Sequence, residues 1–305
     1  MISARLREAL PLVRGTYAAC APLRDLVWFR AGGPAEILYR PADLDDLCAF
    51  LSARPREIPC TVIGVGSNLL VRDGGIPGVV IRLPASFGRT VPQSPCLRLG
   101  AAALDALAAR AAADAGIGGL EFLRGIPGTV GGALRMNAGC YGREIRDVFV
   151  EATAVDPRGR TIVLGPEDMG FAYRKCAIPD DLIFVEAVFQ GIPEQPDIVV
   201  ARMNALIEQR EATQPVRSKT GGSTFKNPEP ARSGGRKAWQ LIEQAGCRGL
   251  VRGAAQVSDK HCNFLINSGD ASAGDIESLG EEVRSRVLAD FGIELEWEIR
   301  RVGVP

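Results

Sequence analysis

The sequence predicts an α+β fold divided into two or three compact units. Its 305 residues exceed what one small hydrophobic core usually holds. Segments with the apolar spacing of helices and segments with strand character follow one another along the chain, and no internal repeat is present. The composition, with 46% hydrophobic and 24% charged residues, is that of a globular protein.

The first part of the chain is expected to alternate helices with short strands. The segment 41–54 has apolar residues at helical spacing behind a group of aspartates, which favours a helix. Buried strands are predicted from three apolar runs, at residues 60–71, 78–83 and 96–101. An Ala-rich helix is expected over roughly 102–115, and a Gly-rich segment follows it.

The middle of the chain is predicted to be mainly β-structure. Residues 148–164 have the pattern of a hairpin with Pro-Arg-Gly at its turn, and residues 182–190 form a further apolar run. Two prolines after residue 192 mark a boundary. A helix is expected beyond it, over about 197–212.

The C-terminal part combines helices with strands. A helix is predicted over 237–246, where a glycine ends it, and a strand over 262–267. The next helix begins at Ser272, with Asp275 as its capping-box partner, and stops at Gly292.

Residues 293–302 alternate apolar and charged side chains, which predicts a strand with one buried face. Ile293, Leu295 and Ile299 share the apolar face, whereas the glutamates lie on the other. Periodicity alone therefore singles out none of these glutamates for a function.

Charge and composition exclude several classes of function. Lys plus Arg and Asp plus Glu both total 36, and no dense basic run occurs, so nucleic-acid binding is not expected. No apolar stretch approaches the roughly 20 residues of a membrane span, and the N-terminus lacks a secretion signal, so we expect a cytoplasmic protein. Eight scattered cysteines and one histidine, His261, provide no metal site, and the cysteines are expected as buried thiols.

Two glycine-rich segments are candidates for binding a phosphate group. The sequence GVGSNLL at 64–70 follows a predicted strand, but Leu69 stands where a dinucleotide fingerprint needs its third glycine. No Gly-Lys pair occurs, so a Walker loop is excluded. Residues 125–142 contain six glycines, a density that allows close approach of a bulky ligand. Taken alone, each segment also fits a structural turn.

Single polar residues are weaker signals. Arg174, in FAYRKC, has the pattern of an ordinary solvated arginine. Ser223, in GGSTFKNP, has Phe225 where the nucleophile elbow GxSxG needs its second glycine, and the single histidine, His261, is 38 residues away. A proton donor or a plain loop remains for Ser223, and the pattern by itself favours the loop.

Eight segments, taken in order, resemble the UDP-N-acetylenolpyruvoylglucosamine reductase (UDP-N-acetylmuramate dehydrogenase) family. They are FRAGGPAE, GVGSNLLV, GIPGTVGGALRMNAGCYG, YRKC, GGSTFKNP, AWQLIEQAGCRG, AAQVSDKHCNFLIN and LEWEIRRVG. The resemblance extends from about residue 28 to 303. Because no tyrosine-bearing loop is evident at 175–200, the chain resembles the subclass that lacks this substrate loop. Cys140 and Cys176 depart from the family, where alanine and serine are usual.

The resemblance implies an FAD-binding fold of the vanillyl-alcohol-oxidase type, with two α+β flavin-binding subdomains and a C-terminal α+β substrate-binding domain. The expected boundaries are 1–84 and 85–195 for the flavin-binding subdomains and 196–292 for the substrate-binding domain. The terminal strand, 293–305, is expected to pack back on the first subdomain.

The resemblance also implies the reaction and its reactants. Noncovalently bound FAD is reduced by NADPH, and the enolpyruvyl ether of UDP-N-acetylglucosamine is then reduced to UDP-N-acetylmuramate for peptidoglycan synthesis. Covalent attachment of the flavin is not expected, because the single histidine lies outside the flavin loops. The implied partner is this small-molecule substrate, without nucleic acid or membrane.

Site residues are carried over by the same resemblance, with no metal among them. The implied catalytic residues are Arg174, Ser223 and Glu298. The implied cofactor-binding residues are Gly64, Gly66, Ser67, Asn68, Gly125, Gly128, Gly131, Gly132, Asn137 and Gly139. The implied substrate-binding residues are Tyr173, Lys226 and Asn227.

The chemistry of this reduction suits the three catalytic residue types. Negative charge that builds beside the substrate carboxylate can be stabilised by Arg174. Our hypothesis is that Glu298 is protonated in the closed complex and donates a hydrogen bond to the enediolate. Ser223 would then protonate the carbanionic carbon.

Three alternatives remain at this point. Another flavin-dependent oxidoreductase of the same fold would share the flavin loops but would not require Ser223 or Glu298. A non-catalytic flavin-binding or nucleotide-binding module would tolerate replacement of Ser223. An acyl-transferring serine enzyme would contain no flavin and would depend on His261.

Overall fold

The computed structural model describes residues 2–305, with side chains from Leu6 onward. The chain forms two compact units that are each assembled from separate segments. Unit 1 comprises the chain up to Cys20, Glu36–Gly64 and Gly78–Arg210, and unit 2 comprises Ala21–Ala35, Val65–Pro77 and Glu211–Pro305. The three-part division expected from the family resemblance stays a prediction.

Helices and strands are both distributed along the chain, as expected for the α+β class. The α-helices are α1 (Ile2–Ala9), α2 (Leu44–Ala53), α3 (Asp105–Asp114), α4 (Val130–Met136), α5 (Pro166–Met169), α6 (Pro196–Thr213), α7 (Pro230–Ser233), α8 (Ala238–Gln244) and α9 (Ala273–Phe291). Single 3-10 turns occur at Ala85–Phe87, Glu121–Gly125 and Ile145–Asp147. Among the helices of residues 2–305, none combines the length and the apolar character that crossing a bilayer requires.

The strands are mostly short. They are β1 (Thr16–Pro22), β2 (Pro34–Arg40), β3 (Cys60–Val62), β4 (Leu69–Val71), β5 (Ile76–Ile81), β6 (Thr90–Gln93), β7 (Cys96–Gly100), β8 (Ile117–Gly118), β9 (Gly139–Cys140), β10 (Arg143–Glu144), β11 (Phe149–Val155), β12 (Thr161–Leu164), β13 (Ile183–Gln190), β14 (Ile192–Pro193), β15 (Thr220–Ser223), β16 (Val251–Arg252), β17 (Ala255–Val257), β18 (Phe264–Asn267) and β19 (Arg300–Val302).

Unit 1 is built around a five-stranded antiparallel sheet in the order β12-β11-β13-β7-β6. The predicted hairpin is its β11–β12 pair. Helices α3 and α4 share a buried core with this sheet, in which Leu97, Ala112 and Phe189 are almost fully excluded from solvent. A second core surrounds Tyr39 and Phe50 beside the sheet β1-β2-β5-β3, in which β3 and β5 are parallel.

Unit 2 contains a four-stranded sheet in the order β15-β18-β17-β16 and a parallel pair, β4 with β19. Helices α8 and α9 share one apolar core with these strands, centred on Leu241, Leu265 and Leu279. The start of α9 is as the sequence predicts: Ser272 Oγ accepts from the Asp275 N–H at 3.0 Å. Gly292 ends the helix in the left-handed region, at φ +65°.

Two expectations about local structure need correction. The predicted strand 293–302 is a regular strand only at Arg300–Val302, and Trp297 makes an isolated bridge with Phe225. Alternation predicts that one face of an extended chain is buried, and that face is observed. It does not predict that a neighbouring strand pairs with the chain along its whole length. The Gly-rich segment contains helix α4, which the sequence did not predict. Glycine is a poor helix former, so its abundance there argued against a helix.

Candidate active site

Ser223 is the last residue of β15, which pairs antiparallel with β18. Thr220 lies opposite Ile266 and Ser223 opposite Phe264, with a shift of register between the two pairs. The two intervening glycines serve different purposes. Gly222 adopts φ +83°, a conformation that side chains disfavour, and has open space around it. Because a Cβ at the buried Gly221 would lie 2.5 Å from the Phe29 ring, this position requires close packing.

Glu298 lies on the extended segment that runs beside the residues following Ser223. Its N–H donates to the carbonyl of Thr224 at 2.8 Å. The side-chain amide of Asn68 donates to the Glu298 carbonyl at 3.1 Å, and the Arg300 N–H donates to the Asn68 carbonyl at 3.0 Å. The fold of unit 2 therefore places two predicted catalytic residues on adjacent segments, with one predicted flavin residue bonded to the second.

Arg174 belongs to unit 1 and lies in a tight turn. Ala172 and Lys175 exchange two backbone hydrogen bonds of 2.9 and 3.1 Å around it. Arg174 itself adopts φ +56°, which is uncommon for a residue with a side chain. Its guanidinium lies 5.0 Å from the centre of the Tyr173 ring. Strained backbone of this kind is frequent at functional sites.

Two side chains at the end of α4 bond the Arg174 turn and the segment that follows it. The guanidinium of Arg135 donates to the carbonyls of Ile178 and Leu182, each at 2.6 Å. The amide of Asn137 donates to the carbonyl of Ala172 at 3.1 Å, and its oxygen accepts from a backbone N–H nine residues further along the chain. Asn137 is fully buried, so its side chain serves the turn rather than the protein surface.

Gly64, the first residue of the segment 64–70, packs against the second glycine-rich segment within unit 1. A Cβ at Gly64 would lie 2.7 Å from the Thr129 hydroxyl oxygen. Helix α4 begins one residue after Thr129, and Gly131 packs against Ala101. Gly132 is exposed, and a Cβ there would meet only Thr129 Oγ1, at 3.6 Å. An open backbone at a helix start fits a group that needs close approach to its phosphates, as FAD does.

Comparison with known proteins identifies the family. Residues 35–165 match a model of an FAD binding domain, and residues 214–302 match the C-terminal domain of UDP-N-acetylenolpyruvoylglucosamine reductase. The enzyme of that name from Parvibaculum lavamentivorans is 61% identical over 302 residues, covering 99% of this chain and 96% of that protein. The one from Maricaulis maris is 56% identical, covering 98% and 95%.

This chain belongs to the UDP-N-acetylenolpyruvoylglucosamine reductase family. A solved structure supports the assignment: the reductase from Thermus caldophilus has a TM-score of 0.81 and 34% identity, covering 96% of this chain and 100% of that one. The family resemblance, the α+β class and the FAD-binding domain followed by a C-terminal domain are thereby confirmed. The residue-level assignments are not tested by these comparisons and stay predictions.

Other glycines assigned to flavin binding in this reductase have evident packing roles. A Cβ at Gly66 would lie 2.7 Å from the backbone of Val27, and one at Gly125 would lie 2.6 Å from the Cys140 sulfur. Gly139 packs against the backbone of β10. Gly128 accepts a hydrogen bond from the N–H that starts α3. The sequence analysis assigned all of these glycines to flavin binding, whereas close packing in the fold already requires glycine at several of these positions.

The predicted substrate residues of this family member lie on exposed or half-buried surface. Lys226 pairs with Glu296 at 3.2 Å, and the Asn227 oxygen accepts from the Ala238 N–H at 3.1 Å, at the start of α8. Tyr173 is 47% exposed and therefore accessible to a ligand.

The single histidine, His261, is not one of these predicted site residues. Its ring packs edge-on against Phe264, and burial lowers its pKa.

Two ionisable groups in unit 1 are perturbed by burial. Burial raises the pKa of the Cys140 thiol to about 11, and the thiol donates to the Phe122 carbonyl at 3.1 Å. Asp105, the first residue of α3, is fully buried, and neither carboxyl oxygen has a hydrogen-bond partner among the described residues. Burial without a compensating partner raises its pKa well above the ordinary value. The sequence analysis predicted neither pKa shift, because burial is a tertiary property.

Proposed function

We propose that this protein catalyses the NADPH-dependent reduction of UDP-N-acetylglucosamine enolpyruvate to UDP-N-acetylmuramate, with noncovalently bound FAD, in the cytoplasm. The reaction belongs to the synthesis of peptidoglycan precursors. Membership of the reductase family supports the substrate and both redox partners. The observation that supports the assignment of catalytic residues is the hydrogen bond from Glu298 N–H to Thr224, which holds Glu298 beside the segment that carries Ser223.

Each catalytic residue has a distinct task in this proposal. Bound FAD, reduced by NADPH, would supply the hydride that adds to the methylene carbon of the enolpyruvyl group. Arg174 binds the substrate carboxylate, and its charge-assisted hydrogen bonds strengthen as negative charge moves onto the carboxylate oxygens. Glu298 is protonated in the closed complex and donates to the same developing charge. Ser223 donates a proton to the adjacent carbon and so completes the reduction.

The remaining predicted residues would hold the two ligands. The open backbone at Gly132 would approach the flavin phosphates, together with Gly64, Gly66, Ser67 and Asn68. Tyr173, Lys226 and Asn227 would contact the nucleotide sugar. The lysine can do so without moving its backbone, because a 3.2 Å pair with the 75% exposed Glu296 is weak and readily exchanged.

Anaerobic reduction of the purified flavoprotein with NADPH, followed by addition of the UDP-enolpyruvyl sugar, tests the proposal. Flavin absorbance should fall with NADPH and return with the sugar. The Ser223→Ala variant should be reduced normally and be reoxidised about 1,000-fold more slowly, the scale of losing a general acid. A flavin that NADPH reduces but the sugar does not reoxidise would point to another flavin-dependent oxidoreductase.

Glu298 requires a separate measurement, because its proposed protonation is independent of the overall reaction. Infrared difference spectra of the substrate complex should contain a protonated carboxyl band that the Glu298→Gln variant lacks. An ionised carboxylate at this position in the complex would contradict the proposed hydrogen-bond donor and leave the reaction itself intact.

A further inference from the structure

A buried asparagine in unit 2 forms hydrogen bonds with the residues that directly follow Ser223. Asn263 is 5% exposed. Its side-chain amide donates to the Phe225 carbonyl at 2.8 Å, and its side-chain oxygen accepts from the Phe225 N–H at 3.0 Å. The main-chain carbonyl of Asn263 accepts from the Thr224 N–H at 2.7 Å. A single residue thus satisfies three backbone groups of the two residues that follow Ser223.

The end of the ladder between β15 and β18 explains why a side chain is needed there. The last pair of that ladder is Ser223 with Phe264, and beyond it the Phe225 N–H and carbonyl bond the Asn263 side chain. A carboxamide offers the same donor and acceptor as a peptide group and can take its place. Buried backbone groups left without partners would otherwise destabilise this region.

The other edge of the same segment binds the chain that carries Glu298. The Thr224 carbonyl accepts from Glu298 N–H at 2.8 Å, and the Lys226 N–H donates to the Glu296 carbonyl at 2.9 Å. Thr224 is fully buried, and its hydroxyl accepts from the Leu265 N–H at 3.2 Å. Residues 224–226 therefore form the middle of three extended segments, between Asn263 and Glu298.

We propose that Asn263 is a positioning residue, which sets the placement of the Ser223 hydroxyl relative to Glu298 through residues 224 and 225. The inference rests on the function proposed above. Ser223 precedes this clamped pair directly, and Glu298 is bonded to its first member. Movement of this pair would change the position of the Ser223 hydroxyl relative to Glu298, and a displacement near 1 Å can cost about 100-fold in rate.

Asn267 provides a matched control at the end of β18. It is equally buried, at 5% exposure, and its carboxamide also bonds only backbone groups. Its amide donates to the Phe29 carbonyl at 2.8 Å, and its oxygen accepts from the N–H groups of Gly269 and Ala271 at 3.2 and 3.0 Å. Replacing Asn267 removes the same chemistry without touching residues 224 and 225.

The test compares Asn263→Ala with Asn267→Ala in the FAD-loaded protein. For each variant, the melting temperature, the rate of flavin reduction by NADPH and the rate of reoxidation by the UDP-enolpyruvyl sugar are measured. We expect both variants to lower the melting temperature. Only Asn263→Ala should slow reoxidation, by about 10- to 100-fold, while the reduction rate changes less than about threefold.

A double variant provides the readout that a purely structural role would not affect. If Asn263 acts through Ser223, adding Asn263→Ala to Ser223→Ala should slow reoxidation by much less than about tenfold, because the group that it positions is absent. Should Asn263→Ala fail to fold, Asn263→Asp keeps the shape and removes the amide donor. The same selective slowing is expected for it.

Three results would overturn the inference: wild-type reoxidation rates in both Asn263 variants, equal slowing of both half-reactions, or equal slowing by Asn267→Ala. These outcomes are separate from failure of the proposed function. In that case the reduced wild-type protein would not be reoxidised by the sugar at all.

Discussion

The Arg174 region in unit 1 and the Ser223–Glu298 segments in unit 2 differ in how much side chains contribute to their hydrogen bonding. Two backbone bonds close the Arg174 turn, and Asn137 donates to its Ala172 carbonyl. In the segment that follows the turn, Arg135 donates to the carbonyls of Ile178 and Leu182. Around Ser223 and Glu298, most of the bonds join backbone groups, and Asn263 completes the pairing. Sensitivity to mutation should therefore differ: a charged side chain is critical in the first region, and backbone fit in the second.

Removing Arg135 should give the largest effect. Arg135→Ala leaves the carbonyls of Ile178 and Leu182 without their charged donor, and such bonds contribute roughly 1.5–3 kcal/mol each. We expect the free energy of unfolding to fall by about 3 kcal/mol and kcat/KM to fall by about tenfold. Denaturant titration and steady-state kinetics measure the two quantities.

Arg98→Ala is the control for Arg135→Ala. Arg98 pairs with Glu186 in the same unit, but its side chain is 40% exposed, so the loss should stay below about 1 kcal/mol. Equal losses for the two arginines would contradict the idea that buried carbonyl contacts fix the Arg174 turn.

The two glycines before Ser223 test how much backbone fit matters in the unit 2 region. Gly221→Ala introduces a methyl group 2.5 Å from the Phe29 ring and should lower the free energy of unfolding by about 2–3 kcal/mol. Gly222→Ala meets no atom within 4 Å and should cost only about 1 kcal/mol, from its φ of +83°. Thermal unfolding of the two variants measures the difference, and a larger loss at Gly222 would show that conformation matters more than packing.

Asp105 makes the stability of unit 1 depend on pH. Because its folded pKa lies above the unfolded value of 3.8, its contribution is complete below about pH 4 and is lost as the pH rises toward the folded pKa. Asp105→Asn should therefore raise the free energy of unfolding at pH 7, and this gain should vanish near pH 4. Denaturant unfolding of the wild type and the Asp105→Asn variant between pH 4 and 7 measures this gain. A stability difference that does not change with pH would contradict a raised pKa for Asp105.

Glu277 should give a smaller effect of opposite sign in unit 2. The fork of Arg72, at 2.8 and 3.0 Å, lowers the pKa of this carboxyl below its ordinary 4.5. Its contribution is therefore present above about pH 4.5 and is lost as the pH falls through the lowered pKa. Glu277→Gln should destabilise by about 1 kcal/mol at pH 7 and weaken acid sensitivity, as unfolding titrations from pH 3 to 7 would show. An unchanged dependence of the unfolding free energy on pH would contradict a lowered pKa for Glu277.

Local sequence signals predicted much of the architecture. Ser272, Asp275 and Gly292 specified where α9 begins and ends, because capping depends on residues within one helical turn. The alternation after residue 292 correctly placed Ile293, Leu295 and Ile299 on a buried face. Helix α4 was missed, since the N–H groups at its start donate to carbonyls near residue 102 that no local pattern reveals.

The sequence by itself determined the fold class, most elements and, through eight ordered motifs, the family. Periodicity could not distinguish Glu298 from its neighbouring glutamates, and no local pattern showed the hydrogen bonds around Ser223. Those bonds join residues 38 positions apart, as for Asn263 and Phe225, or more. Only the tertiary structure shows them, because hydrogen bonding across segments is set by which backbones the packed core brings together.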